Sequence, residues 1–232
     1  MHPREKTLFK KFLSDNLNVF AWAPINLPGT SPSIICHKLS LKTDAKLVKQ
    51  KPRRMNEEWS PAISDEDDRL LQADFIRETF YPDWLSNSIL MKTNGKWVVC
   101  IDFTNLNKAC PKDSFPLPRI DQLIEAMTGH EFFSFMDAYF GFNQIKMHSP
   151  DEDKTAFTTN REIYCYKVIP FRLKNFGATF HRMVDKVFKD MIGRTMEVYV
   201  DDMLVKSSPC GSPPTFGRSL RPPMEVQGEA QP

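Results

Sequence analysis

The sequence lacks long apolar runs; its uninterrupted hydrophobic stretches are a few residues each, which excludes a spanning helix. The opening MHPREKTLFKKFL has charges where a secretory leader would carry an apolar core, so no signal peptide is expected. Neither sign of charge dominates. Lys+Arg 31 against Asp+Glu 29 leaves a net +2, too little to imply a polyanionic partner from composition. Cysteine is sparse, with five scattered residues and no C-x-x-C, so neither a zinc site nor a disulfide framework is indicated. The odd count suits a reducing compartment, and an intracellular location, cytoplasmic or nuclear, is expected. Glycine is scarce too, 9 in 232 residues, yet Gly211, Gly217 and Gly228 fall in the last 26 residues beside six prolines. That tail has few apolar residues to offset ordering entropy, so disorder is expected from residue 207 onward. The remainder is ordinary globular material: 41% of the chain is hydrophobic and 26% charged.

Periodicity predicts the elements. Leu8, Phe9, Phe12, Leu13, Leu17 and Phe20 recur at helical spacing, giving a helix over 5–20. A Pro/Gly/Ser loop and a short extended stretch follow, then the basic run KLVKQKPRR, which reads as a solvated loop or as a phosphate contact. Residues 56–78 read as one helix with Leu70, Leu71, Phe75 and Ile76 on its core side. SILMKTNGKWVVCIDF is a hairpin on Asn94-Gly95, since both turn positions need positive φ. Lys92 and Lys96 flank its tip, either to protect an edge or to reach phosphates. NKACPKDSFPLPRI is irregular, 121–127 a short helix, and EFFSFM a strand ending in the buried-looking acid Asp137. Two strands flank a turn at Thr159–Glu162; 175–192 is an amphipathic helix with Gly193 as its C-cap. The expected class is α+β on an antiparallel sheet.

EVYVDDMLV carries the most chemistry. A hairpin turning on Asp201-Asp202 sets two like charges at the end of an apolar sheet, where desolvation opposes ionisation. Asn-Gly would turn the chain without that cost, and a divalent cation would remove it. Asp201 and Asp202 are therefore candidate Mg2+ ligands. Asp137, at the end of another apolar strand, is the third, because an adjacent antiparallel strand could bring it alongside. Carboxylates sharing two metal ions suit phosphoryl or nucleotidyl transfer. A surface turn and a strand-end cap are the plain alternatives for the same residues.

YVDD with the upstream FMDAYFGFNQ resembles the reverse transcriptase of gypsy-type long-terminal-repeat retrotransposons, in particular the plant elements. NVFAWAPINLPG, HKLSL, VKQKPRRMN, DFIRE, YPDWLSN, NGKWVVCIDFTNLNKACPKDSFPLPRIDQL, YCYKVIPF and GATFHRMVDKVFKDMIGRTMEVYVDDMLVKS are similar to that family and stand in family order. The resemblance implies the fingers and palm of a right-hand polymerase, thumb missing. It implies a lead-in over 1–55, fingers and palm over 56–206, and a non-family tail over 207–232. The implied partners are an RNA or DNA template with its primer and a dNTP, with no membrane. Two Mg2+ ions, or Mn2+, are the implied cofactors, held by Asp137, Asp201 and Asp202. Phe142 matches the aromatic that screens the sugar 2′ position, and Lys92 the basic residue that grips the triphosphate. Phe171 and Gly177 match the nucleotide-pocket segment; Gln144 matches a family position without an assigned role.

Three residues depart from the pattern. Val98 replaces an Arg that contacts the triphosphate, a loss of transition-state stabilisation. Arg172 replaces a Gly, where a side chain obstructs the pocket or strains the backbone, or else supplies the cation missing at 98. Glu162 replaces a turn Gly. The expectations are an RNA-directed DNA polymerase fragment of weak activity, or an inert remnant that binds nucleic acid weakly through Lys49, Lys51, Arg53 and Arg54. A different Mg2+-dependent phosphotransferase is the third reading.

Overall fold

A computed structural model describes residues 3–17, 20–27, 29–53, 57–93, 95–116, 119–130, 132–138, 140–199 and 202–207. The expected disorder of the tail beyond 207 concerns residues outside these. The chain divides into two compact units, one of residues 1–26, 117–139 and 183–232, the other of residues 27–116 and 140–182. No helix among the described residues is long and apolar enough to cross a membrane.

The larger unit is built on strands β1 (Ile76–Glu78), β2 (Ser86–Thr93), β3 (Lys96–Ile101), β5 (Phe157–Thr158) and β6 (Ile163–Tyr166), in the order β1-β6-β5-β2-β3. The expected antiparallel sheet is in fact mixed: β2 runs parallel to β5, with Ser86 opposite Phe157 and Asn87 opposite Thr158. The β2–β3 hairpin forms as read, Thr93 pairing with Lys96 across a two-residue link whose Gly95 has φ +78°. Helix α2 spans only Ser60–Gln72. Asp74 adopts φ +56° and breaks the helix, and Phe75-Ile76 leaves it to start β1. Thr104–Ala109 forms a short helix, α3, whose last three residues enter the Pro-rich stretch taken as irregular. Residues 149–152 form the single turn α5.

Residues 27–53 are tied into this unit by bridges from Thr30 to Ile145, His37 to Met147 and Lys49 to Leu85. Helix α6 (Phe176–Val187) is shorter than expected; Gly193, at φ +78°, lies in the following turn, donating to Met196 O, and is not its cap. Asp113 anchors the Pro-rich segment through two hydrogen bonds from Arg182, at 2.6 and 2.8 Å. Those bonds hold its carboxyl below the usual range. The Thr159–Glu162 turn uses no positive φ at Glu162, so the missing Gly costs no backbone strain.

Two buried ionisable groups in this unit have opposite pH signatures. Asp67 on α2 is 1% exposed and desolvation raises it to about 6, opposed by Thr159 and Arg161. His37, equally buried with Nδ1 2.8 Å from Thr179 Oγ1, is lowered by desolvation to about 4. Between about pH 4 and 6 the folded chain keeps the Asp67 proton that the unfolded chain releases, so this group's stabilisation falls as pH rises. Over about pH 4 to 6.5 the unfolded chain holds the His37 proton that the folded chain excludes, so that contribution rises. The two offset one another. Denaturant titrations across this window should show stability rising with pH in Asp67→Asn and falling in His37→Gln, each by at most about 1.4 kcal/mol per pH unit.

The smaller unit has the sheet β4-β8-β7, from β4 (Phe132–Asp137), β7 (Met196–Tyr199) and β8 (Asp202–Ser207), all antiparallel. Met196, Val198, Leu204 and Val205 form its core. Two helices complete it, α1 (Pro3–Asp15), which ends five residues short of the expected Phe20, and α4 (Ile120–Met127). Lys206 is buried and donates to Glu197 Oε1 at 2.8 Å and Ala126 O at 2.9 Å, joining β8 to β7 and to the end of α4. Lys206→Ala leaves the half-buried Glu197 carboxylate without its cation and should cost roughly 1–3 kcal/mol in denaturant unfolding.

Candidate functional site

The carboxylates are set by strand register. β7 ends at Tyr199 and β8 begins at Asp202, and these two residues pair. Asp202 is therefore the first residue of a strand and not the turn residue that the sequence suggests. Val200 and Asp201 lie outside the described residues. On the other side β8 pairs with β4, and Asp202 stands directly opposite Asp137. Two of the three candidate ligands are thus brought together from positions far apart in the sequence.

Asp137 differs from its buried appearance in the sequence: it is exposed, on the same strand face as Phe133 and Phe135, the latter 75% exposed. Alternation along β4 turns these residues outward together. Neither Asp137 nor Asp202 has an ion pair or hydrogen bond among the described residues, so two like charges face each other uncompensated. Hard carboxylate oxygens that lack a protein cation fit a divalent ion such as Mg2+. The described residues contain no group of three such ligands.

The nucleotide-side candidates all belong to the larger unit. In the hairpin Lys92 pairs with Trp97 and Met91 with Val98, so Lys92 and Val98 face opposite sides of the ribbon. The Lys92 ammonium stands 5.6 Å over the Trp97 ring, whose other neighbour is Trp59. Phe142 is held edge-on by Phe176 at 4.5 Å and Phe180 at 5.1 Å between ring centroids. Phe171 is 64% exposed. Gln144 accepts the Thr30 N–H through its backbone carbonyl. A Cβ at Gly177 would meet nothing within 4 Å, so close packing does not require that glycine.

Arg172 adopts φ +68°, the left-handed region where its position favours glycine. Its guanidinium lies 5.8 Å over the Phe171 ring and 3.9 Å from Met91 Sδ. It is therefore on the Val98 side of the hairpin, beside a Phe171 ring that stays largely exposed. Sequence reasoning missed this contact, although counting back from the Asn-Gly turn already pairs Met91 with Val98.

The reverse transcriptase (RNA-dependent DNA polymerase) family model matches residues 90–209. The Pol polyprotein of the Drosophila melanogaster transposon opus is 35% identical over 148 residues, 60% of this chain and 14% of that protein. The enzymatic polyprotein of cauliflower mosaic virus (strain Strasbourg) is 31% identical over 178 residues, 73% of this chain and 26% of that protein. The chain thus spans a minor part of either relative. Among solved structures, the foamy viral protease-reverse transcriptase in complex with an RNA/DNA hybrid superposes with TM-score 0.74 at 20% identity, covering 90% of this chain and 28% of that one. The native prototype foamy virus protein gives 0.77 at 20% identity, covering 95% and 29%. These likenesses show an α+β fold of the fingers-and-palm type.

Proposed function

Since the chain belongs to the reverse transcriptase (RNA-dependent DNA polymerase) family, we propose that it is the fingers-palm part of an RNA-directed DNA polymerase from a plant gypsy-type retrotransposon. Its reaction is nucleotidyl transfer from a dNTP to a primer 3′-hydroxyl on an RNA or DNA template. The observation that carries this reading is Asp137 opposite Asp202 at the end of the β4-β8-β7 sheet. Together with Asp201 they would hold Mg2+ or Mn2+, which when bound activates the hydroxyl and neutralises charge on the triphosphate. The chain's own residues do the positioning. Lys92 offers a cation to phosphate oxygens, and Phe142, fixed by Phe176 and Phe180, presents a rigid edge to the sugar. Phe171 gives the incoming nucleotide an apolar contact.

A second reading, an inert palm that still binds nucleic acid, is favoured by Val98 and by Arg172 lying over Phe171. Single-nucleotide incorporation with protein in excess over a primed RNA template separates the two. Slow, metal-dependent incorporation that is lost in Asp137→Asn is expected. Incorporation that survives Asp137→Asn overturns the polymerase assignment.

A further inference from the structure

The loop from Pro170 to Asn175 holds two left-handed residues, Arg172 at φ +68° and Asn175 at φ +66°. Non-glycine residues keep such backbone only where their surroundings over-determine it, and they cluster at ligand sites. The surroundings here are largely one short helix and the chain just after it. α3 is fixed to the core through Leu106, 1% exposed, and through Phe103 just before it. Asn107 on that helix reaches the loop.

The Asn107 carboxamide donates to Arg172 O at 2.9 Å and accepts the Lys174 N–H at 2.7 Å. It thus pairs with the backbone on either side of Leu173, as a neighbouring strand would. Leu173 itself is fully buried, so the loop is held from its core side as well. The Lys174 ammonium returns the contact, donating to Asn107 O at 3.1 Å and Cys110 O at 2.5 Å, which caps the last carbonyls of α3. Farther along, the Asn175 amide donates to Pro111 O and accepts the Asp113 N–H. Position 107 needs both halves of an amide. Leu has the shape and neither bond, Asp sets a negative oxygen against Arg172 O, and Gln is a methylene too long.

We propose that Asn107 is a positioning residue for the incoming nucleotide, holding the loop so that Phe171 is presented in one fixed place. The proposal rests on the reading of Phe171 as a nucleotide contact. Phe171 stands next to the clamped Arg172 and is 64% exposed, so its own packing does not fix it and the backbone that carries it must. The effect falls on nucleotide binding. An apolar contact made alike before and during transfer lowers the dNTP requirement and leaves the limiting rate unchanged.

The test compares the full chain with Asn107→Leu and Lys174→Met, the latter removing the ammonium bonds to α3 while keeping the Lys174 N–H. Single-nucleotide incorporation on a primed RNA template is read against dNTP concentration. Asn107→Leu should raise the half-saturating dNTP concentration about tenfold, the size of one misplaced apolar contact, with the limiting rate within about threefold of the parent. Both variants should melt below the parent, but Lys174→Met should leave half-saturation where it was. In the same proteins, para-fluorophenylalanine at position 171 reads the ring directly. One narrow fluorine resonance is expected in the parent and in Lys174→Met, and a shifted, broadened one in Asn107→Leu. A resonance that Asn107→Leu does not move, a limiting rate that alone changes, or an equal dNTP effect in Lys174→Met would each overturn the proposal. If the parent incorporates nothing, the polymerase reading fails, and dNTP titration of the fluorine signal with Mg2+ decides this one. A parent ring that responds, with Asn107→Leu needing about tenfold more dNTP, upholds it; no response overturns it.

Discussion

Primer extension on an RNA template rises by about 10²–10³ when Val98→Arg and Arg172→Gly are introduced together, from a rate at or near background in the unmodified chain. Val98 is 43% exposed on the hairpin and offers only a hydrocarbon surface where a fixed cation would stabilise developing phosphate charge. Arg172 brings a guanidinium to that side, but from a different loop, and lays it over Phe171. On the proposed function, a charge placed there would meet the nucleotide from the wrong origin, beside the proposed contact Phe171, so alignment would be lost along with electrostatics. The two positions meet around Met91 and are coupled, so their effects should not simply multiply. Arg172→Gly alone also relieves the left-handed residue, adding about 1 kcal/mol or more to stability, read as a higher Tm. If the unmodified chain extends a primer as fast as the double variant, these departures are not disabling. If Arg172→Gly alone slows extension, the displaced guanidinium is the working cation.

What could be read in advance follows the range of the interactions involved. The β2–β3 hairpin depends on a two-residue turn and on alternation, both local, and its register is countable from Asn94-Gly95. The pairing of Tyr199 with Asp202 is local too, yet the Asp-Asp pair, whose residues tolerate positive φ, suggests Asp202 as a turn residue and hides its place in the strand. Phe75 and Ile76 fit a helical stripe, and only the pairing of Ile76 with Tyr166, ninety positions away, shows that they belong to a strand. The parallel match of β2 with β5 has no local signature at all. For the candidate site, residue type points to Asp137 and Asp202 as neighbours, which the register bears out, but not to the exposure of Asp137, which depends on what covers β4. The reach of Arg172 to Met91 also spans distant parts of the chain and has no sequence pattern to announce it.

Asp137→Asn should abolish extension, a loss of at least about 10³ measured in the Val98→Arg, Arg172→Gly background, and at the same time raise the thermal midpoint in chelator. The opposite signs come from one geometry. Asp137 and Asp202 stand directly opposite across two antiparallel strands, and like charges in that relation destabilise a sheet by roughly 0.2–1 kcal/mol. Removing one charge relieves the repulsion, and the exposed position of Asp137 means that no packing is lost. Adding Mg2+ should reverse the order. An ion that binds only the folded state stabilises the parent in proportion to its occupancy, whereas the variant, short of a ligand, gains little. Asp202→Asn should behave in the same way, since the pair is reciprocal. A carboxylate kept only as a strand-end cap predicts none of this: its amide would lower the midpoint or leave it unchanged, and Mg2+ would not distinguish the two proteins. A midpoint that falls in chelator, or rises equally with Mg2+ in parent and variant, would show that Asp137 and Asp202 do not form a metal site.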